Sequence, residues 1–245
     1  MKGVILAGGL ASRLRPLTLV TNKHLLPIYN KPMVYYPLEA MARGGVKEVL
    51  LTCSPDHAGH FTSLLNGGEE FGLNLYYAVQ KNPKGGIAQA ISLAEKFAQN
   101  EPILVILGDN IFNFDLRSSI KRFEASGKGA MVFGVHLDTE SRHYGVIEID
   151  KNGTVLSIEE KPAHPKSDIA QIGVYIYDGN VFDYIRKLKP SERGELEVTD
   201  LNNLYLKDGK LMCDIIDWWI DAGTSFDELL RANIEVARFV KEGKL

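Results

Sequence analysis

Cysteine is nearly absent: Cys53 and Cys213 are the only two in 245 residues, and neither stands in a Cys-x-x-Cys or Cys/His ligand spacing. That argues against a disulfide framework and a structural zinc site, and it suits a reducing cytoplasm. Long apolar runs are missing as well. Nothing approaches the roughly 20 consecutive apolar residues that a membrane span needs, and the opening MKGVILAGGL is too short in apolar content for a secretory signal, so no membrane association is expected. Nor is there an excess of positive charge: 28 Lys and Arg face 31 Asp and Glu, a net charge of −3 that offers no broad basic surface to a nucleic-acid backbone. Internal repeats, low-complexity tracts and Pro/Ser-rich linkers are not found. What remains is 45% hydrophobic and 24% charged, which excludes disorder and provides enough apolar material for a sizeable core.

The hydrophobic periodicity alternates short β-branched runs with helical patterns, the order that builds a parallel sheet covered on both faces. Strands are expected at Gly3–Leu6, Glu48–Cys53, Leu75–Val79 and Ile103–Leu107, with helices at Val34–Arg43, Ala58–Leu65 and Ile87–Ala98 between them. After Asp109 the rhythm changes. A helix at Leu116–Ala125 and a strand at Ala130–Val135 lead to Gly145–Ile149 and Val155–Glu159, strand-like runs whose connecting Asn152-Gly153 is a hairpin signal. A strand at Ile172–Tyr177, helices at Val181–Leu188 and Asp200–Lys207, a strand at Leu211–Ile216 and a closing helix at Phe226–Val240 complete the pattern. The fold class is α/β: a Rossmann-like mixed, mainly parallel sheet with helices on both faces and a smaller β-rich lobe. One domain over 1–245 is expected, with a nucleotide-type half near 1–110 and a substrate-type half at 111–245.

Chemistry concentrates where the first strand ends. Gly8 and Gly9 follow it directly, so backbone N–H groups there can approach a phosphate closely, and Arg13 adds a planar fork for charged oxygens. The run fits neither the P-loop pattern nor G-x-G-x-x-G. Lys23, on a Pro-pinned loop shortly after, could neutralise a transferring phosphoryl group. Taken singly, a tight turn with a solvated arginine and an ordinary surface lysine are the plain alternatives. Asp109 falls at the end of a parallel strand, where open α/β sheets hold ligands. Gln80 ends the third strand, and its amide offers a donor and an acceptor side by side, matching the carbonyl and N–H edge of thymine or uracil. His24, His57, His60, His136, His143 and His164 form no i, i+4 ligand pair, and the Trp218-Trp219 aromatics read as core or subunit contact.

The run from Leu6-Ala7-Gly8-Gly9 through Arg13 and Lys23 to Leu25-Leu26-Pro27 and Lys31-Pro32-Met33 resembles the sugar-1-phosphate nucleotidylyltransferases. The similarity continues in order through Gly86-Ile87-Ala88-Gln89-Ala90, Leu107-Gly108-Asp109-Asn110-Ile111, Tyr144-Gly145-Val146, Glu159-Glu160-Lys161-Pro162, Arg193-Gly194-Glu195-Leu196-Glu197-Val198-Thr199-Asp200 and Trp219-Ile220-Asp221-Ala222-Gly223-Thr224. Within the family it is most similar to the short-form enzymes that use dTTP and glucose 1-phosphate. The resemblance implies attack by a phosphate oxygen of glucose 1-phosphate on the α-phosphorus of dTTP, giving dTDP-glucose and pyrophosphate without a covalent enzyme intermediate. It implies Mg²⁺ held by Asp109 and Asp221, β- and γ-phosphates held by Arg13 and the Gly8/Gly9 amides, and Lys23 bridging the α-phosphate and the sugar phosphate. It extends the nucleotide site to Leu6, Ser12, Gln80, Gly85 and Gly86, and places the sugar on Asn110, Tyr144, Gly145, Glu160, Lys161, Gly173 and Thr199. Symmetric tetramers and a supply role for rhamnose and related deoxysugars come with the same resemblance.

Three departures from the family pattern stand out. Ala11 replaces the third small residue of the phosphate loop, usually glycine, and is strained if its φ is positive. The turn Lys81–Gly86 is one residue longer than expected, and Gln171-Ile172 stands where Val-Thr is expected. The sequence ends at Leu245, so the longer C-terminal extension that helps form an effector site in some members is expected to be missing, with feedback control reduced or rearranged. Two other functions compete: the same chemistry with UTP or another hexose 1-phosphate, and a non-catalytic regulatory subunit that binds a nucleotide sugar. Arg13 and Lys23 are expected to be exposed, so that losing either costs folding only ~0.5 kcal/mol.

Overall fold

The computed structural model describes residues 1–9, 11–127, 129–137 and 141–245; Leu10, within the expected phosphate loop, lies outside them. In chain order the first half contains β1 (Lys2–Ala7), the short antiparallel pair β2 (Pro27–Ile28) and β3 (Lys31–Pro32), α1 (Tyr35–Arg43), β4 (Glu48–Cys53), α2 (Ala58–Leu65), β5 (Asn74–Val79), α3 (Ile87–Ser92), α4 (Glu95–Ala98), β6 (Ile103–Leu107) and β7 (Asn110–Phe112). The second contains α5 (Arg117–Ser126), β8 (Ala130–His136), β9 (Gly145–Ile149), β10 (Val155–Glu160), β11 (Ile169–Tyr177), α6 (Val181–Ile185), α7 (Val198–Lys207), β12 (Leu211–Ile216), β13 (Trp219–Asp221) and α8 (Phe226–Lys241).

Among the described residues one nine-stranded sheet runs through both halves. At its middle β1 lies parallel between β4 and β6, and β5 extends the parallel part beyond β4. On the other side β11 runs antiparallel to β6, with Val174 opposite Ile106, and carries β8, β9 and then β10 and β12 outward. The central strands are apolar on both faces because both are covered. Ile5, Leu51, Leu104 and Ile106 meet α1, α2 and α5 in one layer, while Val4, Leu6, Leu50 and Val105 meet α3, α6 and α7 in the other. The mixed, mainly parallel α/β architecture is therefore as the periodicity indicates.

A third cluster, with Ile28, Met33, Ile111, Ile220, Ala232 and Val236, docks α8 onto the β2/β3 and β7/β13 pairs. In the latter, Asp221 faces Asn110 across an antiparallel register, which brings the end of the chain beside the end of β6. Four boundaries differ from the sequence pattern by two residues or more. The helix expected over 87–98 divides into α3 and α4, with Leu93 closing the first, and the helix expected to reach Leu188 ends at Ile185. Helix α7 begins two residues early, at Val198. β11 starts at Ile169 because Gln171, polar in sequence, is buried with its Oε1 accepting from Asn202 Nδ2 at 3.2 Å. The β9–β10 hairpin turns at Asn152-Gly153 as expected, held by Asp150 Oδ1, which accepts from the amides of Asn152 (2.8 Å) and Thr154 (2.9 Å).

Candidate active site

The carboxyl ends of β1 and β6 form the floor of a cleft. Gly8 and Gly9 leave β1 there and Gly108-Asp109 leave β6, with the Gly108 amide donating to Leu6 O at 2.9 Å. The Asp109 carbonyl accepts from the Ala222 amide at 3.0 Å, which fixes the neighbouring Asp221 against it. Lys23 reaches the same point: its Nζ is ion-paired with Asp109 Oδ2. The lysine is carried on a rigid turn. Asn22 Oδ1 accepts from the His24 amide (2.9 Å) and from His24 Nδ1 (2.7 Å), while its Nδ2 donates to Ala7 O at 3.2 Å. A side chain at Gly223 would lie 2.7 Å from Lys23 Nζ, so the glycine leaves the ammonium its place.

Burial pushes the Asp109 carboxyl up, but the charge and hydrogen bond of Lys23, with smaller contributions from His24 and the backbone, together outweigh it and hold the carboxyl well below the usual carboxylate range. Asp221 goes the other way: burial first, then the charge of Asp109, push its carboxyl well above that range. Burial also opposes the charge on Lys23, yet the two aspartates prevail and raise its pKa. His24, fully buried and next to the lysine, is pushed down to about 3 and stays neutral. Arg13 is close enough for its charge to act on Lys23, so the structure gathers Arg13, Lys23, Asp109 and Asp221 around one cleft.

Two adjoining cavities open from this cluster. The first, about 250 Å³, is lined by Leu6, Gly8, Gly9, Gln80 and Gly86 of the residues expected in the nucleotide site, together with Lys23 and Asp109. The second, about 220 Å³, is lined by Arg13, Asn110, Tyr144, Gly145, Glu160, Lys161, Gly173 and Asp221. Ile87, Leu107 and Glu195 line both, so the two are lobes of one cleft. A Cβ on Gly8 would overlap Gln80 Oε1, so a side chain there would displace the Gln80 amide. Gly145 differs: a Cβ there meets protein atoms only at 3.4 Å and beyond, so the protein itself does not demand a glycine.

Three expected residues do not line the cavities. Ser12 sits exposed on the turn before Arg13, and Gly85 is buried behind the base-side loop, its carbonyl accepting from the Leu196 amide at 2.9 Å. Thr199 lies beneath Glu160 and donates to its Oε2 at 2.6 Å, orienting that carboxylate. Asn110 lines the second cavity, but its amide is engaged with protein: Oδ1 accepts from the Gly173 amide (2.7 Å) and Trp219 Nε1 (2.6 Å), and Nδ2 donates to Asp109 Oδ1 at 3.2 Å. The expectation that Lys23 is exposed is corrected. Its side chain is only 19% exposed and is the partner of a buried carboxylate, whereas Arg13 is indeed exposed. Ala11 does adopt the left-handed conformation, at φ 46°, with its carbonyl accepting from the Leu14 amide (3.1 Å) and Thr18 Oγ1 (2.7 Å).

Sequence reasoning did not single out Arg193, Gln89 or Trp219 for the site. Arg193 lines the sugar-side cavity, its guanidinium 3.8 Å from Glu160 and 2.9 Å from Glu197. A lone cation in the acidic run Glu192–Glu197 was the available signal. As a metal site, Asp109 and Asp221 offer hard carboxylate oxygens from two segments of the chain, with the Lys23 ammonium paired to the first of them. That donor set fits Mg²⁺, which takes one or two carboxylates and completes its shell with water and phosphate oxygens.

The family model described as "Nucleotidyl transferase" matches residues 2–238. A glucose-1-phosphate thymidylyltransferase of Neisseria gonorrhoeae is 45% identical over 228 residues, covering 91% of this chain and 78% of the relative. One from Actinoplanes sp. is 43% identical over 248 residues, covering 100% of this chain and 80% of the relative. A crystal structure of a Bacillus anthracis protein described as a glucose-1-phosphate thymidylyltransferase, in complex with a sucrose, superposes with a TM-score of 0.90 at 46% identity, covering 96% of this chain and 94% of that one. With a fold, a cleft and a motif order shared along nearly its whole length, the chain belongs to the nucleotidyl transferase family, with the glucose-1-phosphate thymidylyltransferases as its relatives within it.

Proposed function

We propose that this chain transfers the thymidylyl group of dTTP to glucose 1-phosphate with Mg²⁺, releasing pyrophosphate and dTDP-glucose. The observation that carries this reading is the Lys23–Asp109–Asp221 cluster at the junction of two cavities, one with Gln80 as a base reader and the other with Glu160 as an acceptor for sugar hydroxyls. The names of the relatives supply the substrates. Phosphoryl chemistry of this kind needs alignment and charge stabilisation more than a protein nucleophile. Arg13 and the Gly8/Gly9 amides bind the outer phosphates. Lys23, kept protonated, holds the α-phosphoryl and sugar-phosphate oxygens together, while Lys161 and Arg193 offset charge on the sugar side. Asp109 and Asp221 hold the magnesium, which when bound neutralises charge accumulating on the phosphoryl oxygens. A phosphate oxygen of the sugar forms the new P–O bond as the bond to pyrophosphate breaks.

UTP presents the same base edge, and the missing methyl is worth only ~1–3 kcal/mol, so it serves as a slower substrate. Both substrates are cytoplasmic metabolites, which puts the chain in the cytoplasm; among the described residues no helix is long and apolar enough to cross a membrane. A homotetramer is part of the same reading, supported by the exposed stripe Phe226, Leu230 and Ile234 at four-residue spacing on α8. The product is a precursor for rhamnose and related deoxysugars. The test is pyrophosphate release across a panel of nucleoside triphosphates and hexose 1-phosphates: fastest release is expected with dTTP and glucose 1-phosphate. A clear preference for UTP or another sugar would reassign the substrates, and no release from any pair would leave a binding protein only.

A further inference from the structure

The orientation of the Gln80 amide is set by protein groups. Gln80 is 4% exposed, and its Nε2 donates both to Asn82 O and to Gln89 Oε1, each at 3.1 Å. A backbone carbonyl can only accept, so the nitrogen of the Gln80 amide must face Asn82. The turn is built around Asn82: its O also accepts from the Gly85 amide (3.2 Å), and its Oδ1 from the Lys84 amide (3.2 Å). Both amide hydrogens of Gln80 are thereby used. Its Oε1 lies against Gly8 in the nucleotide cavity and accepts no hydrogen bond among the described residues. Gln89, in the first turn of α3, does not line that cavity; it stands behind Gln80, its own side chain laid over Gly85 at 2.8 Å from where a Cβ would be.

We infer that Gln89 is a positioning residue for base selection: with Asn82 it holds Gln80 as an acceptor-only reader, which demands a ring N–H and so selects thymine or uracil against cytosine. This deepens the thymidylyl reading and rests on it. It also revises the simpler idea that the amide presents a donor and an acceptor to the base. Cytosine N3 carries a lone pair where thymine N3 carries a proton, and it meets Gln80 Oε1 acceptor to acceptor. Cytosine then either turns the amide over, giving up its bonds to Asn82 and Gln89, or slides from the thymine pose to bring its N4 amino group to Oε1.

Removing one of those bonds lowers the cost of that turn by one hydrogen bond, equivalent to about three- to tenfold in selectivity. The experiment is kcat/KM for dTTP and for dCTP with glucose 1-phosphate, measured on the wild type and on Gln89→Met, Gln89→Leu and Gln89→Glu. The wild type is expected to favour dTTP, the Met and Leu variants to give up about three- to tenfold of that preference, chiefly through KM, and Gln89→Glu, which keeps an acceptor oxygen, to retain it. Leucine serves should the methionine variant not fold. A folded Met or Leu variant with the wild-type dTTP:dCTP ratio overturns the inference. A wild type that does not use dTTP overturns the thymidylyl reading instead.

Discussion

At the scale of single residues, the two cations of the cleft part company. Arg13 is exposed, whereas Lys23 neutralises a buried aspartate that has a second carboxylate beside it. Both Arg13→Met and Lys23→Met are expected to reduce turnover by roughly a hundredfold or more, the cost of removing a group that stabilises developing charge. Their stabilities should differ. Arg13→Met stays within ~0.5 kcal/mol of the wild type, while Lys23→Met, which leaves Asp109 unpaired, loses of the order of 3 kcal/mol. Urea unfolding of chelator-treated protein at neutral pH distinguishes them, and equal midpoints for the two variants would refute the buried-pair account. The sequence motifs located these cations, but not which one supports the fold, because exposure is set by how the Asn22 turn packs against β1 and β6.

At the scale of elements, β9, β11 and the turn between them and α7 shape the sugar side with two glycines that have different reasons to be there. A Cβ on Gly173 would come 2.5 Å from Leu107 Cγ and 2.8 Å from Asn110 Oδ1, so Gly173→Ala should fold poorly, by about 1–3 kcal/mol for an overpacked interior site. Gly145→Ala should unfold like the wild type but raise KM for the sugar phosphate, because its methyl makes only ordinary van der Waals contact with Gln171, Thr199 and Glu160 yet takes up room on the lining of the sugar-side cavity. Thermal unfolding together with the KM for each substrate separates the two, and a Gly145→Ala variant with unaltered sugar-phosphate KM would remove Gly145 from the site. Elements with a strong period were readable in the sequence: β1, β4, β6 and α8 are long apolar or amphipathic runs with clear stops. The pairs β2/β3 and β7/β13 were not, since strands of two or three residues carry no period, and their pairing depends on α8 arriving from the far end of the chain. Gln89 was equally illegible, because its significance lies in a hydrogen bond to a loop that only the folded chain brings near.

At the scale of the whole molecule, the two apolar layers account for the burial of the central strands, yet α8 keeps Phe226 at 47%, Leu230 at 61% and Ile234 at 60% exposure. Side chains of that kind in a row are costly to leave in water, at roughly 25 cal/mol per Å². Leu230→Glu with Ile234→Glu is therefore expected to convert the proposed tetramer to smaller species in sedimentation velocity while leaving the far-ultraviolet circular dichroism unchanged. An unaltered sedimentation coefficient would show that self-association does not use this helix.

The pairing of β11 with β6 fastens the sugar-side strands to the nucleotide-side strands along a continuous hydrogen-bonded ladder beneath the cleft. Such a floor cannot open like a jaw. Substrate capture must then resemble work on a bench, in which the two reactants are laid side by side on a surface whose halves keep their spacing.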